Sequence, residues 1–195
     1  MRINSNIRIA GDKIVLIPYK KAHVVKYHSW MQDPHLLEVT ASEPLTLEQE
    51  YEMQQSWCED DDKCTFIIVD KETLDRTENE IDSLIGDVNL YLNDPDVTTA
   101  EIEVMIADSA HRSKGKGKEA LLYMLRYGME KLSIKTFVAK IKWGNSQSLK
   151  LFSNIGFTET AQIAIFKETE MKCTVNDQWK STLLEKTQSY KLDVY

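Results

Sequence analysis

The residues best suited to chemistry lie in one run, Glu101 to Lys118. Glu101-Ile102-Glu103-Val104-Met105-Ile106 reads as a strand whose side chains alternate, so Glu101 and Glu103 share one face and Ile102 and Val104 the other. The strand leads through His111 to Arg112-Ser113-Lys114-Gly115-Lys116-Gly117-Lys118, where a helix begins that carries Ala120, Leu121, Leu122, Leu125 and Leu132. Glycines at a helix start let the backbone turn several N–H groups toward one spot. That spot is also the positive end of the helix dipole, so a phosphate fits there. Lys114, Lys116 and Lys118 add positive charge around the turn, which reads as a pyrophosphate cradle. The bland alternative is a basic, glycine-containing turn that merely starts a helix.

The spacing narrows the kind of cradle. A Walker A loop needs Gly-Lys followed by Ser or Thr, and Gly117-Lys118 is followed by Glu119, which leaves no hydroxyl for magnesium. The dinucleotide fingerprint belongs to the first strand–turn–helix unit, whereas this motif falls late in the chain. Arg112-Ser113-Lys114-Gly115-Lys116-Gly117 fits the pattern Arg/Gln-x-x-Gly-x-Gly/Ala, and so resembles the acetyl-CoA loop of the GNAT superfamily of N-acetyltransferases. A second stretch, Asn145-Ser146-Gln147-Ser148-Leu149-Lys150-Leu151-Phe152-Ser153-Asn154-Ile155-Gly156-Phe157, resembles the second signature of that superfamily. Asn145 can cap the short helix, and Gly156 suits a left-handed helix stop. Ala41–Tyr51 and Gly86-Asp87-Val88-Asn89-Leu90 resemble the N-acetyltransferase-9-like group of eukaryotes, which is related to bacterial ribosomal-protein acetyltransferases.

The elements that must position these residues follow from periodicity. Lys13–Pro18 reads as a first strand, Ala22–Met31 and Thr46–Glu59 as helices, and Cys64–Asp70, Leu84–Leu92 and Ala100–Ala107 as strands. After the loop and its helix comes Thr136–Lys142, a fifth strand. The resemblance implies an α/β (α+β) fold: a single GNAT domain over residues 1–175 with a mixed central sheet flanked by helices. It also implies acetyl-CoA wedged between the splayed fourth and fifth of these strands. The tail, 176–195, has an amphipathic stretch (Trp179, Leu183, Leu184) that packs as a helix or frays. The acidic segment 70–83 reads as a mobile polar loop.

The resemblance implies further roles. Cofactor contacts fall on Val104, Met105 and Ile106, on Arg112, Ser113, Lys114, Gly115, Lys116, Gly117 and Lys118, and on Asn145, Ser148 and Phe152. Transfer from a thioester to an amine needs a deprotonated amine and a proton for the leaving thiolate. Glu103 is the favoured general base, being nearer the cofactor end of its strand, with Glu101 second; the alternative is that both glutamates sit on a solvated face. Many family members carry a tyrosine where Phe152 stands, as acid for the thiolate, and Phe152 has no proton to give. Tyr91 and Tyr123 are the alternative donors. Three readings follow: an N-acetyltransferase acting on a protein amine (an α-amine or a lysine), a small-molecule amine acetyltransferase, and a weakly active or inactive interaction protein associated with microtubules. Trp30, Tyr51 and Trp57 either line the acceptor site or belong to the core.

Composition sets outer limits. The 195 residues are 42% hydrophobic, enough for one domain with a sizeable core. No apolar run reaches the roughly 20 residues of a membrane helix. The N-terminus lacks the apolar run of a signal peptide, and Arg2 stands where myristoylation would need glycine, so a cytoplasmic location is expected. Cys58, Cys64 and Cys173 are expected to be reduced thiols. His23, His28, His35 and His111 lack metal-ligand spacing, so no metal is expected. A net charge of −7 argues against nucleic acid as a partner and is compatible with an amine-bearing acceptor, tubulin among the partners that the resemblance allows.

Overall fold

In the computed structural model, which describes residues 2–195, pairing runs without a break through a nine-stranded sheet. The elements are β1 (Ile7–Ala10), β2 (Ile14–Pro18), α1 (Val24–Trp30), α2 (Pro34–Val39), α3 (Leu47–Glu59), β3 (Lys63–Asp70), α4 (Lys71–Thr77), β4 (Leu84–Tyr91), β5 (Thr99–Ile106), α5 (Lys116–Lys131), β6 (Thr136–Lys142), α6 (Ser146–Ser153), β7 (Thr158–Ile163), β8 (Glu168–Thr174), α7 (Asp177–Lys186) and β9 (Lys191–Val194). The strand order is β7-β8-β6-β5-β4-β3-β2-β1-β9. Among the described residues only β5 and β6 run parallel. The expected mixed sheet flanked by helices is therefore present. Among the described residues no helix is long and apolar enough to cross a membrane.

Each face of the sheet buries its own core. On one face Phe66, Ile68, Val88, Leu90 and Ile102 pack with Leu121, Met124 and Leu125 of α5 and with Phe152 and Phe157. On the other, Ile67, Val69, Leu84 and Met105 pack with Val24, Tyr27 and Trp30 of α1 and with Leu36 of α2. The alternation of side chains along β3, β4 and β5 sends successive residues to the two layers. The helix α5 lies close on the sheet at Gly128, where a Cβ would meet Phe137 Cε1 at 2.9 Å and Leu90 Cδ1 at 3.0 Å.

One expectation needs correction and another is extended. Residues 70–83 are not loop throughout: α4 and a short 3-10 turn at Ile81–Ser83 take up most of them. Asp70 caps α4 by accepting from the Thr73 N–H at 3.1 Å, and Leu74 and Ile81 pack against the second core. The pattern Asp-x-x-Thr is a local cap signal that the high polarity of the stretch obscured. In the tail, the helix is the one of the two expected alternatives that is present, with Trp179 and Leu183 of α7 joining the first core, and polar residues follow it. They form β9, which pairs antiparallel with β1 from Ile7↔Val194 to Ala10↔Lys191. The strands β1, β7 and β8 and the helix α2 were absent from the expected elements. Thr46 is the N-cap of α3 rather than its first residue, in a capping box with Gln49.

Candidate active site

The site begins where two neighbouring strands part. The register of β5 with β6 extends only over Thr99↔Thr136, Ala100↔Phe137 and Glu101↔Val138. Beyond Glu101 each strand stays paired on its outer side, β5 to β4 as far as Ile106 and β6 to β8 as far as Lys142. The splay opens two adjoining cavities that share Val39, Val104, Asn145 and Ser148. The first, of about 460 Å³, holds Glu101, Glu103, Tyr91, Asp87, Asn89, Tyr27, Trp57, Met105 and Phe152 among its walls. The second, of about 570 Å³, is walled by Arg112, Ser113, Gly115, Gly117, Lys118, Ile106 and residues of α6.

The loop before α5 is fixed from several directions. The Arg112 guanidinium donates to the Ile106 and Ala107 carbonyls at 2.9 and 3.0 Å, closing the end of β5. Ser113, at φ +59°, accepts from Gln147 Nε2 at 3.0 Å, tying the loop to α6. Gly115 is the N-cap of α5 at φ +82°, a left-handed conformation that favours glycine. A Cβ at Gly117 would meet Ile106 Cγ1 at 3.2 Å. The first-turn N–H groups of an α-helix have no acceptor inside the helix, so those of α5 are left for an anion. Asn145 caps α6 by accepting from the Ser148 N–H at 3.0 Å.

Beneath the loop lies a buried cluster. The Lys116 ammonium pairs with Asp70 and lies 2.8 Å from His111 Nδ1. Burial pulls the Asp70 carboxyl upward, but hydrogen bonds from Lys116 and Thr73 outweigh it and hold the group below its usual value. Lys13 donates to the Lys114 carbonyl at 3.0 Å, and its own N–H donates to Glu119 Oε1 at 3.0 Å. These contacts fasten the loop to β3 and to the segment before β2.

The first cavity is acidic and aromatic. The β4–β5 register places Asp87 opposite Met105, Asn89 opposite Glu103 and Tyr91 opposite Glu101, so these polar residues share one face. The Tyr91 hydroxyl donates to Glu103 Oε2 at 2.9 Å. Burial raises the Glu103 pKa, and the Glu101 and Asp87 charges add to the rise, while Tyr91 and Lys63 oppose it. Glu101 is engaged otherwise, its Oε2 accepting from Lys140 Nζ at 2.6 Å. Asp87 is fully buried, accepts from Asn89 at 2.9 Å and from Tyr27 at 3.4 Å, and is raised by burial above the usual carboxylate range. A carboxylate with a raised pKa at the wall of a cavity suits proton abstraction from an amine.

Residues 13–158 match the acetyltransferase (GNAT) domain. The chain belongs to the GNAT acetyltransferase family. Its reaction class is acetyl-CoA-dependent N-acetyl transfer. It is 52% identical over 179 residues to the N-acetyltransferase 9-like protein of Nematostella vectensis, covering 91% of this chain and 90% of that one. It is 47% identical over 191 residues to a human protein named alpha/beta-tubulin-N-acetyltransferase 9, covering 96% and 92% of the two chains. A solved spermidine N-acetyltransferase from Vibrio cholerae, in complex with CoA and spermine, has the same fold, with a TM-score of 0.69 at 16% identity and coverage of 88% and 96%.

The residues expected to serve this GNAT site divide into three groups. Arg112, Ser113, Gly115, Gly117, Lys118, Val104, Ile106, Asn145 and Ser148 line the loop cavity, and Glu101, Glu103, Met105 and Phe152 line the other. Lys114 and Lys116 line neither; they face a separate depression with Asp12, Lys71 and Asp75, and the Lys116 ammonium is spent on Asp70. Phe152 is buried, its ring packed edge-on against Phe157 with centroids 5.0 Å apart. Of the two tyrosine candidates, Tyr91 stands in the cavity, whereas Tyr123 is hydrogen-bonded to Ser189 at 2.8 Å and lines neither cavity. Trp57 lines the acidic cavity, while Trp30 and Tyr51 pack in the second core. Tyr27, Asp87 and Asn89 were missed. The alternation Asp87, Asn89, Tyr91 along β4, polar on one face and apolar on the other, is the signal that marks Asp87 and Asn89, whereas Tyr27 comes from α1 and only the tertiary fold brings it there.

Proposed function

We propose that this chain acetylates a primary amine on a protein, an α-amine or a lysine, using acetyl-CoA, with Glu103 as the general base. The observation that carries the reading is the half-buried Glu103 carboxylate, hydrogen-bonded to Tyr91 and standing in a cavity that joins the loop cavity through Val104, Asn145 and Ser148. The loop fits a CoA pyrophosphate: a left-handed Gly115, a Gly117 at which a Cβ would press on Ile106 at 3.2 Å, and first-turn amides with no side-chain cap. Arg112, Ser113, Gly115, Gly117 and Lys118 would hold the pyrophosphate end, and Val104, Met105, Ile106, Asn145, Ser148 and Phe152 would hold the arm. Acetyl-CoA supplies the acetyl thioester there. Glu103 takes a proton from the acceptor ammonium. Glu101, paired with Lys140, shapes the cavity and its field.

Tubulin is the acceptor we favour, and the cytoplasm the location. The support is the name of the human relative and of its counterparts in mouse and Drosophila, alpha/beta-tubulin-N-acetyltransferase 9. Phe152, which offers no proton to a thiolate, favours a second reading, a slow or inactive protein that keeps the fold for binding microtubules.

The test is radiolabelled acetyl transfer from acetyl-CoA to tubulin, to free lysine peptides and to spermidine, beside calorimetric titration with acetyl-CoA. Glu103→Gln should lower turnover about a hundredfold or more and leave acetyl-CoA affinity within twofold. Wild-type turnover in that variant removes the base assignment. Micromolar acetyl-CoA binding with no transfer to any amine favours the second reading.

A further inference from the structure

One buried cation beside the acidic cavity has no part in the acetyl transfer itself. Lys63 is the first residue of β3, and its side chain is buried. The β3–β4 register places it directly opposite Tyr91, and Tyr91 lies opposite Glu101, diagonal to Glu103, on β5. Three adjacent strands therefore set Lys63, Tyr91 and Glu103 in a row on one sheet face, the arrangement in which side chains of neighbouring strands touch. The contacts follow that order: Lys63 Nζ donates to the Tyr91 hydroxyl at 3.2 Å, and the hydroxyl donates to Glu103 Oε2 at 2.9 Å. The ammonium is also held between rings, 3.3 Å from the Trp57 centroid and 4.3 Å from that of Tyr91.

We propose that Lys63 is a positioning residue for Glu103, acting through Tyr91: its ammonium directs the phenol proton onto the carboxylate and so keeps that carboxylate ionised and aimed into the cavity. This rests on the reading of Glu103 as the base. The chemistry is one of proton count. A phenol has a single proton and two lone pairs. While Lys63 is an ammonium it can only donate to the phenol oxygen, so the phenol must give its own proton elsewhere, and Glu103 is the acceptor within reach. A neutral amine at Lys63 could accept that proton instead and leave Glu103 without its donor. The short chain is therefore oriented by the charge at its far end.

The surrounding charges set how much this orientation matters. Burial raises Glu103, and so do the negative charges of Glu101 and Asp87, with Glu101 partly offset by Lys140. Tyr91 and Lys63 are the groups that pull it back down. Burial also pushes the Lys63 ammonium down to about 8, against the upward pull of Asp87, Glu103 and Asp60. The charge at the end of the chain is thus closer to being lost at neutral pH than that of an ordinary lysine. The phenol itself is pushed up by burial and by Glu103, so Tyr91 stays protonated and acts as a relay of orientation.

The test reads Glu103 directly and needs neither acetyl-CoA nor an acceptor. In the CoA-free protein, the side-chain carboxyl carbon of Glu103 is titrated by carbon-13 NMR, its signal assigned by its loss in Glu103→Gln. Lys63→Met keeps the length of the side chain and removes the charge; Tyr91→Phe removes only the oxygen between the two. Both are expected to raise the Glu103 midpoint by about one pH unit or more, because each removes a hydrogen bond or a charge favouring the ionised form. The double variant is expected to go little further than the larger single effect if Lys63 acts through Tyr91, and fully additive shifts, which mean that Lys63 acts on Glu103 by its charge alone, overturn the proposal. The acidic limb of kcat/KM should move with the NMR midpoint, at an unchanged KM for acetyl-CoA. An unmoved midpoint in Lys63→Met overturns the proposal, including the case in which Tyr91→Phe alone moves it. Should Lys63→Met not fold, an unmoved midpoint in Tyr91→Phe overturns it equally. Wild-type turnover in Glu103→Gln would instead remove the base reading, whatever the NMR midpoints do.

Discussion

Gly117→Glu should separate ligand affinity from fold stability at one position. The residue lies in the first turn of α5, where a Cβ would meet Ile106 Cγ1 at 3.2 Å. That contact asks Ile106, a half-buried side chain at the edge of the loop cavity, to yield by a few tenths of an ångström. The helix itself gains: replacing a helical glycine by a better helix former contributes about 0.5 kcal/mol, and a negative charge in the first turn contributes about 0.3–1 kcal/mol through the dipole. The folded chain should therefore keep its melting temperature within a few degrees. A pyrophosphate approaching the same turn meets the new carboxylate at about 4 Å, where two like charges repel by about 4 kcal/mol at an effective dielectric near 20. At about 1.4 kcal/mol per tenfold, the loss in affinity is roughly a thousandfold. The assay is calorimetric titration with CoA, beside thermal unfolding without ligand. A CoA dissociation constant within threefold of wild type would refute the cradle. A fall in melting temperature of more than about 5 °C, of the order expected for a loss near 2 kcal/mol in a chain of this length, would refute the claim that the position has room.

Three further outcomes follow from the same contacts. Lys116→Met leaves the Asp70 carboxylate buried without its cation, which should cost about 3–5 kcal/mol in urea unfolding; an unchanged midpoint would mean that the pair contributes nothing net. Because the folded Asp70 titrates below the ordinary 3.8, its contribution is present above that value and lost as the pH falls through the folded pKa. The stability difference between wild type and Lys116→Met should accordingly shrink as the pH is lowered below about 4, and a constant difference would contradict the assignment. Gly128→Val drives a branched side chain into Phe137 and Leu90, which stand 2.9 and 3.0 Å from the added Cβ, and should cost about 1–3 kcal/mol of overpacking; thermal unfolding checks it.

Much of the candidate site is legible in the sequence alone. The order of strand, glycine-bearing loop and helix is local: the strand alternation of residues 101–106, Gly115 at a left-handed N-cap and the apolar stripe of α5 each follow from their own neighbours. The Asn145 cap and the left-handed Gly156 are likewise signals within a few residues. The misreadings arose where local polarity spoke against a tertiary contact. The segment 70–83 looked like solvated loop, yet Leu74 and Ile81 find the second core. The tail looked like a chain end, yet β9 finds the free edge of β1.

What the sequence by itself determined is the list of elements around the loop and the residue types available to bind phosphate and move a proton, because propensity, capping and alternation act over short distances. What the tertiary structure decided is which of those residues stand at the cleft and which are engaged elsewhere. The parting of β5 from β6 after Glu101 makes the cleft. Lys140, from a strand 39 residues away, occupies Glu101, and the β4 register gives Tyr91 to Glu103 instead. Asp70, from the end of β3, takes the Lys116 ammonium out of the cradle. Each choice depends on strand register and on charges far apart in the chain, and no periodicity along it encodes them.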